Sequence, residues 1–267
     1  MIQEPLILAV ETSSRVGSVA LAEGGRLLGE ATFSGPLRHS AELFPAIGRL
    51  LRRFGKNAGN IAEVYLAIGP GSFTGLRIAV AMAKALHLAN AARIVTVDSL
   101  DVIAANMTDG PEDTVIQNGP SVPPLNYMAA VLDAKRGQFY GAVYERTSGG
   151  VEQADTDPAG SAGYEIPAPG KHTWRRIVPA SLMTAEELLS RCADLTPLGL
   201  LGDGLLYHQD AFRTPETRIL DASYWSPHAT KVYALAYQKA RAGRFADPLS
   251  LAPFYLRAPL VTLKKRP

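Results

Sequence analysis

Gly69-Pro-Gly-Ser-Phe-Thr-Gly75 sits between an apolar run, Val64–Ile68, and a stretch with helical spacing, Thr74–Asn90. A buried strand that enters a glycine turn and leaves it as a helix is the building step of an α/β chain. The same alternation is found on either side. Leu6–Val10 is apolar throughout, which suits a strand buried on both faces. Val16–Ala22 and Arg26–Phe33 flank Gly24-Gly25, a hairpin turn, and complete a three-strand meander. Leu43, Ile47, Leu50, Leu51 and Phe54 then share one helical face, with Arg49, Arg52 and Arg53 largely off it. Pro45 sets the start of that helix or kinks it, and Gly55 and Gly59 end it. Ile94–Val97 reads as another strand.

The opening pattern returns in the second half. Tyr127–Leu132 is a strand ending on Asp133, followed by a turn through Lys135, Arg136 and Gly137 and a strand over Gln138–Tyr144. In the first half the equivalent strand ends on Glu11, and the turn runs through Ser13, Ser14 and Arg15. Two unrelated meanders give the same pattern, so the repeat alone does not decide the architecture. Thr184-Ala-Glu-Glu187 is a capping box, Leu198–Leu201 a strand, and Ser226-Pro227 the opening of a helix that runs to about Ala242. The class is α/β in two lobes, 1–107 and 108–267, with the C-terminal tail returning to the first lobe. Thr108–Pro124 and Thr147–Pro169 read as irregular excursions, and Lys264-Lys265-Arg266 as a solvated tail.

Composition removes several classes of function. With 47% hydrophobic and 19% charged residues the chain can bury a core and is not disordered. The longest Ala-rich stretch is broken by Lys84 and His87, short of a membrane span, and no basic region precedes Leu6. A single cysteine, Cys192, excludes an internal disulfide and fits a cytoplasmic protein, where it plays the part of a small buried apolar residue. A net charge of +2 gives no argument for direct nucleic-acid binding.

Catalytic groups are scarce. No two of the five histidines stand four residues apart, so no His-x-x-x-His metal pair exists and no metal is expected. The glycine string is neither a Walker loop nor a dinucleotide fingerprint, and Ser72 is not in a G-x-S-x-G elbow. Its loop either holds an anion on free amides or is a turn in which Ser72 or Thr74 caps the helix. Glu11 and Asp133 either organise a cation beside phosphates or cap the turns after them, and Gly202-Asp-Gly204 either approaches a nucleotide or opens a helix. Thr74–Asn90 has few polar residues and five alanines between Ala79 and Ala89, so it is either buried nearly all round or half of an interface.

Three segments together resemble the TsaB (YeaZ) family: Ile7-Leu-Ala-Val-Glu-Thr-Ser13 with Ser18-Val-Ala-Leu21, His39-Ser40 with Leu43 and Pro45, and above all Gly69-Pro-Gly-Ser-Phe-Thr-Gly-Leu-Arg77. Leu132-Asp-Ala-Lys-Arg-Gly-Gln-Phe-Tyr140 and Pro253-Phe-Tyr-Leu-Arg257 extend the resemblance to the second half. It implies a two-lobed actin-like ATPase fold, each lobe a mixed sheet with a strand meander and packed helices. It also implies a non-catalytic partner of TsaD in forming N6-threonylcarbamoyladenosine at position 37 of tRNAs that read ANN codons. TsaE joins the larger complex, tRNA is reached indirectly, and a homodimer can form when TsaD is absent. No cofactor is expected of the chain alone, ATP binding being a matter for the complex. The partner-binding residues implied are His39, Leu43, Ile47, Leu50, Leu51, Phe73, Thr74, Arg77, Ile78, Ala81 and Ala85. A vestigial nucleotide or anion site would involve Glu11, Thr12, Ser13, Gly71, Ser72, Asp133, Gly202 and Gly204. Ile68 stands where relatives often have Arg, and Glu11 where many have Asp; both weaken a hydrolytic role. The rivals are a small-molecule kinase of the actin-like class and a glycoprotein peptidase. The latter finds no nucleophile–base pair here.

Overall fold

The computed structural model describes residues 4–36, 38–108, 125–148, 165–166 and 172–257. Most of both predicted excursions and the Lys264-Lys265-Arg266 tail lie outside the described residues. The first sheet contains β1 (Leu6–Glu11), β2 (Ser18–Glu23), β3 (Arg26–Thr32), β4 (Ile61–Ala67) and β5 (Arg93–Val97), in the order β3-β2-β1-β4-β5. The second contains β6 (Tyr127–Asp133), β7 (Phe139–Ser148), β8 (Glu165–Ile166), β9 (His172–Met183), β10 (Leu198–Leu201) and β11 (Thr217–Ile219), in the order β11-β10-β6-β7-β9-β8. In both, a meander of antiparallel strands continues into two parallel ones: β1 pairs antiparallel with β2 and parallel with β4, and β6 pairs antiparallel with β7 and parallel with β10. The weak repeat in the sequence is therefore a repeated five-strand topology, with β8 added at one edge. This is the two-lobed actin-like fold.

Among the described residues five α-helices position these sheets: α1 (His39–Arg53), α2 (Phe73–Asn90), α3 (Ser99–Ala104), α4 (Ala185–Arg191) and α5 (Ala229–Arg241). The period-2 pleat of β1 divides its side chains. Leu6, Leu8 and Val10 join a core with Leu43, Ile47, Leu50 and Leu51 of α1 and Ala79, Val80 and Ala83 of α2. Ile7 and Ala9 face the other way, into a core shared with α3, α5 and the second sheet. α5 packs on β1, β2, β4 and β5, whereas α3 packs on β6 and β7. Each sheet is thus covered by a helix that follows the other sheet in sequence.

Several local expectations are altered by tertiary contacts. α1 runs straight through Pro45, because Pro45 and Ala41, whose carbonyl loses its helical donor, are both exposed to water. α5 starts two residues after Pro227, with no cap from its own side chains. Its first amide, Ala229 N, donates instead to Ser18 Oγ of β2 at 2.8 Å. α3 and the twelve-residue β9 are absent from the sequence reading. Pro179 disguised β9; it lies where the β7–β9 register shifts, so no ladder donor is missed. A buried Arg176 on β9 pairs with Asp101 and Asp98 at the start of α3, and Tyr144 donates to Asp101 Oδ1 at 2.9 Å. Cys192 is buried beside α4, and burial pushes its thiol up to about 11, in keeping with an apolar role. Among the described residues no helix is long and apolar enough to cross a membrane.

The two faces of α2 differ. Ala83 is wholly buried against the first sheet, whereas Ala81 is exposed. Ala83→Glu should therefore lower the unfolding free energy by about 3 kcal/mol or more. Ala81→Glu should change it by less than about 0.5 kcal/mol. Urea titrations followed by circular dichroism measure both.

Candidate functional site

The strand ends of the two sheets meet at a cleft of ≈ 320 Å³. Its walls come from the β1–β2 turn (Ser13, Ser14, Arg15), the glycine loop (Gly71, Ser72), the β6–β7 turn (Asp133, Ala134, Lys135) and the loop after β10 (Asp203, Tyr207). Both strand-end acids fold back on the turn that follows. Glu11 Oε1 accepts from the Ser13 amide and from Ser13 Oγ at 2.6 Å. Asp133 Oδ1 accepts from the Lys135 amide at 2.7 Å, and the Lys135 ammonium closes on the other oxygen. The capping alternative holds for both acids.

The glycine loop is likewise engaged with protein. Ser72 is the N-cap of α2: its hydroxyl accepts from Gly75 N at 3.3 Å, while its own amide donates to Ser13 O at 2.6 Å. Thr12 Oγ1 donates to Gly75 O at 3.0 Å. Gly71 has φ +155°, and a Cβ there would lie 2.2 Å from Ser13 O. Gly202 echoes it in the second lobe, with φ +118° and a Cβ position 2.1 Å from Val131 O. Only glycine lets these backbones come so close. Gly204 lies against Leu132 in the same way.

An actin-like fold implies a nucleotide at this cleft, and the residues present do not fit its phosphates. Of the amides that could cradle them, Ser13 N, Ser72 N and Arg15 N already donate, the last to Asp203 Oδ2 at 3.3 Å. The carboxylates that line the cleft, Asp133 and Asp203, both come from the second lobe, beside Arg15 and Lys135. Burial pushes Asp203 up to about 6 and Glu11 up to about 7; for Glu11 it outweighs the bonds from Ser13, and Glu11 Oε2 has no partner. Among the described residues no group of three His, Cys, Asp or Glu side chains could hold a metal ion.

The partner-binding set divides along the helices. His39, Leu43, Ile47, Leu50 and Leu51 are buried inside the first lobe. The physical reason is the amphipathic pattern of α1, whose apolar face is needed by its own sheet. His39 Nε2 lies 3.0 Å from Ser14 O, tying α1 to the cleft turn. Phe73, Thr74, Arg77, Ala81 and Ala85 are exposed along α2, Ile78 is half-buried, and Phe44 projects from α1 at 60% exposure. Sequence reasoning passed over Phe44, which breaks the apolar periodicity of α1, and Tyr207, which lines the cleft with the Arg15 guanidinium 5.3 Å from its ring centroid; Asp203 it met only as the middle of Gly202-Asp-Gly204.

A family model described as TsaD, tRNA N6-adenosine threonylcarbamoyltransferase, matches residues 36–171, about half of the chain. The chain belongs to this family, within its TsaB (YeaZ) group. The tRNA threonylcarbamoyladenosine biosynthesis protein TsaB of Bacillus subtilis (strain 168) is 31% identical over 151 residues, covering 57% of this chain and 60% of that protein. TsaB of Escherichia coli (strain K12) is 28% identical over 145 residues, covering 54% and 57%. The chain thus spans about three fifths of the length of the curated relatives it matches. YeaZ from Pseudomonas aeruginosa, 24% identical, superposes with a TM-score of 0.68 over 94% of this chain and 100% of that one, and so has the same fold.

Glu11 gives the TsaB-like cleft a pH signature. Its carboxyl stands near 4.5 when unfolded and about 7 when folded, so the folded state holds the proton more tightly. The resulting stability is fully present below pH 4.5 and is lost as pH rises through 7. Glu11→Gln, which keeps an acceptor for Ser13 without the charge, should match the parent chain at pH 4.5. At pH 8 it should exceed it by about 3 kcal/mol, read from denaturant titrations across the range.

Proposed function

We propose that this chain is a non-catalytic subunit in the formation of N6-threonylcarbamoyladenosine at position 37 of tRNAs that read ANN codons. It docks a TsaD homologue through the outward faces of α1 and α2. The observation that carries the docking is the exposed stripe Thr74, Arg77, Ala81 and Ala85 on α2, together with the exposed Phe44 of α1. Small side chains let another backbone approach closely, and the exposed Phe44 and Phe73 supply apolar area at its margin. The TsaB relatives support the pathway.

The subunit does its work in the cytoplasm and without a cofactor of its own, a reading supported by the Ser13, Arg15 and Ser72 amides at its cleft, which donate to protein oxygens. This also argues against the kinase reading, which needs those amides for ATP. TsaD carries out the transfer, a TsaC-type enzyme supplies the threonylcarbamoyl-adenylate, and TsaE joins the complex. The same α1–α2 face pairs two copies of this chain when TsaD is absent, and tRNA is reached through the complex.

Ala85→Glu places a carboxylate in the seam. An unpaired buried charge costs several kcal/mol, against the roughly 8 kcal/mol of a micromolar complex. The variant should stay folded by circular dichroism and bind the TsaD homologue at least about 100-fold more weakly in titration calorimetry. Arg52→Glu, on the exposed basic side of α1, should matter much less. A folded Ala85→Glu chain binding at parental affinity would remove this face from the interface. Modified tRNA should appear only when the TsaD, TsaC-type and TsaE proteins are all added.

A further inference from the structure

Residues 251–257 form no regular element, yet they touch both lobes. The chain reaches them from Ala246, which bridges Ile94 on the edge of the first sheet. Phe254 N then donates to Ile68 O at 2.7 Å, at the entrance to the glycine loop. Tyr255 rests on the first turn of α2. Its ring centroid is 5.3 Å from that of Phe73, and its hydroxyl accepts from Arg77 Nε at 3.1 Å. The Arg77 guanidinium in turn lies 3.8 Å over the Phe73 ring.

Two residues later the segment crosses to the second lobe. Arg257 Nη1 donates to Ala134 O at 2.6 Å, and Nη2 donates to Gln138 Oε1. Ala134 and Gln138 close the β6–β7 turn, where Ala134 N donates to Gln138 O at 2.9 Å. Between them Lys135 and Arg136 both adopt left-handed backbone, with φ of 66° and 59°. Two consecutive non-glycine residues in that region are strained by about 1 kcal/mol or more each, so the turn persists only while its surroundings hold it. The planar fork of Arg257 is such a brace, reaching both ends of the turn at once.

We propose that residues 251–257 are a latch that couples the exposed first turn of α2 to the β6–β7 turn across the cleft. One end is the Tyr255–Phe73–Arg77 cluster, open to solvent on the outward side of α2. The other is the Arg257 fork. Whatever moves Tyr255 off α2 displaces Arg257 and releases the strained turn; whatever fixes Tyr255 tightens it. The coupling is reciprocal, so a change at the turn is felt at α2. The latch stands on contacts within this chain and holds whichever partner α2 meets.

Hydrogen exchange of the full chain, followed by mass spectrometry, tests it. Arg257→Ala and Gln138→Ala cut the brace from opposite sides, and each should speed exchange of the 134–139 amides about tenfold. Tyr255→Ala removes a side chain whose ring packs on Phe73 and whose hydroxyl accepts from Arg77, both in the first lobe. It should nevertheless speed exchange of the same second-lobe amides at least threefold. In all three variants the β1–β5 amides should exchange as in the parent chain, which reports that the fold is kept. Parental exchange at the turn in Tyr255→Ala would overturn the coupling; parental exchange in both Arg257→Ala and Gln138→Ala would overturn the brace. Should Arg257→Ala lose the fold, Arg257→Lys keeps the charge without the fork and must give the same acceleration.

Discussion

The structure depends on one shared apolar layer. Ile7, Ala9, Tyr65 and Val95 of the first sheet, Leu100 and Ile103 of α3, Val232 and Ala236 of α5, and Met128 and Ala130 of the second sheet belong to a single core. Neither sheet can bury its inner face alone, because α3 and α5 are each supplied from across the boundary between them. The lobes are therefore set at a fixed separation by packing, and the cleft is what remains at the strand ends. Its floor is rigid for the same reason that close-packed interiors are rigid.

On that floor the two lobes repeat one local device. An acid at a strand end accepts the amide two residues on, and a glycine in a rarely used conformation lets a neighbouring carbonyl come close. Ser13, Arg15 and Ser72 direct their amides at protein oxygens, Glu11 Oε1, Asp203 Oδ2 and Ser13 O. The turns at the cleft are thus tied into the fold, and the outer side of α1 and α2 carries the exposed Phe44, Phe73, Arg77, Ala81 and Ala85.

Much of this was legible in the residues. Continuous apolar runs marked β1, β4, β6 and β10, the Thr184 capping box marked α4, and Ser72 marked the start of α2. The repeat was readable as strand, acid, turn and strand, since those residues answer to local geometry. What was not legible answers to distant parts of the chain. No local signal shows that α5 is capped by Ser18, or that Pro179 falls on a bulge and so tolerates a strand. That the apolar stripe of α1 faces its own sheet was not legible either, because such a stripe looks the same whether it faces a sheet or a partner. On α2 the alternation of Ala81 outward and Ala83 inward lies below what alanines alone can signal.

The position of α5 also governs how the chain can be made. The inner face of the first sheet is complete in sequence once β5 ends at Val97, but its cover, Ala229–Arg241, is synthesised only after every strand of the second sheet. Through the whole of the second sheet's synthesis, Ile7, Ala9, Tyr65 and Val95 have no permanent partner. The nascent first lobe is thus an open half-sandwich that must either hold α1 and α2 on one side and water on the other, or be shielded by a chaperone. A chain broken before Ala229 would keep that wound and aggregate, so the protein reaches its stable state as a whole or not at all.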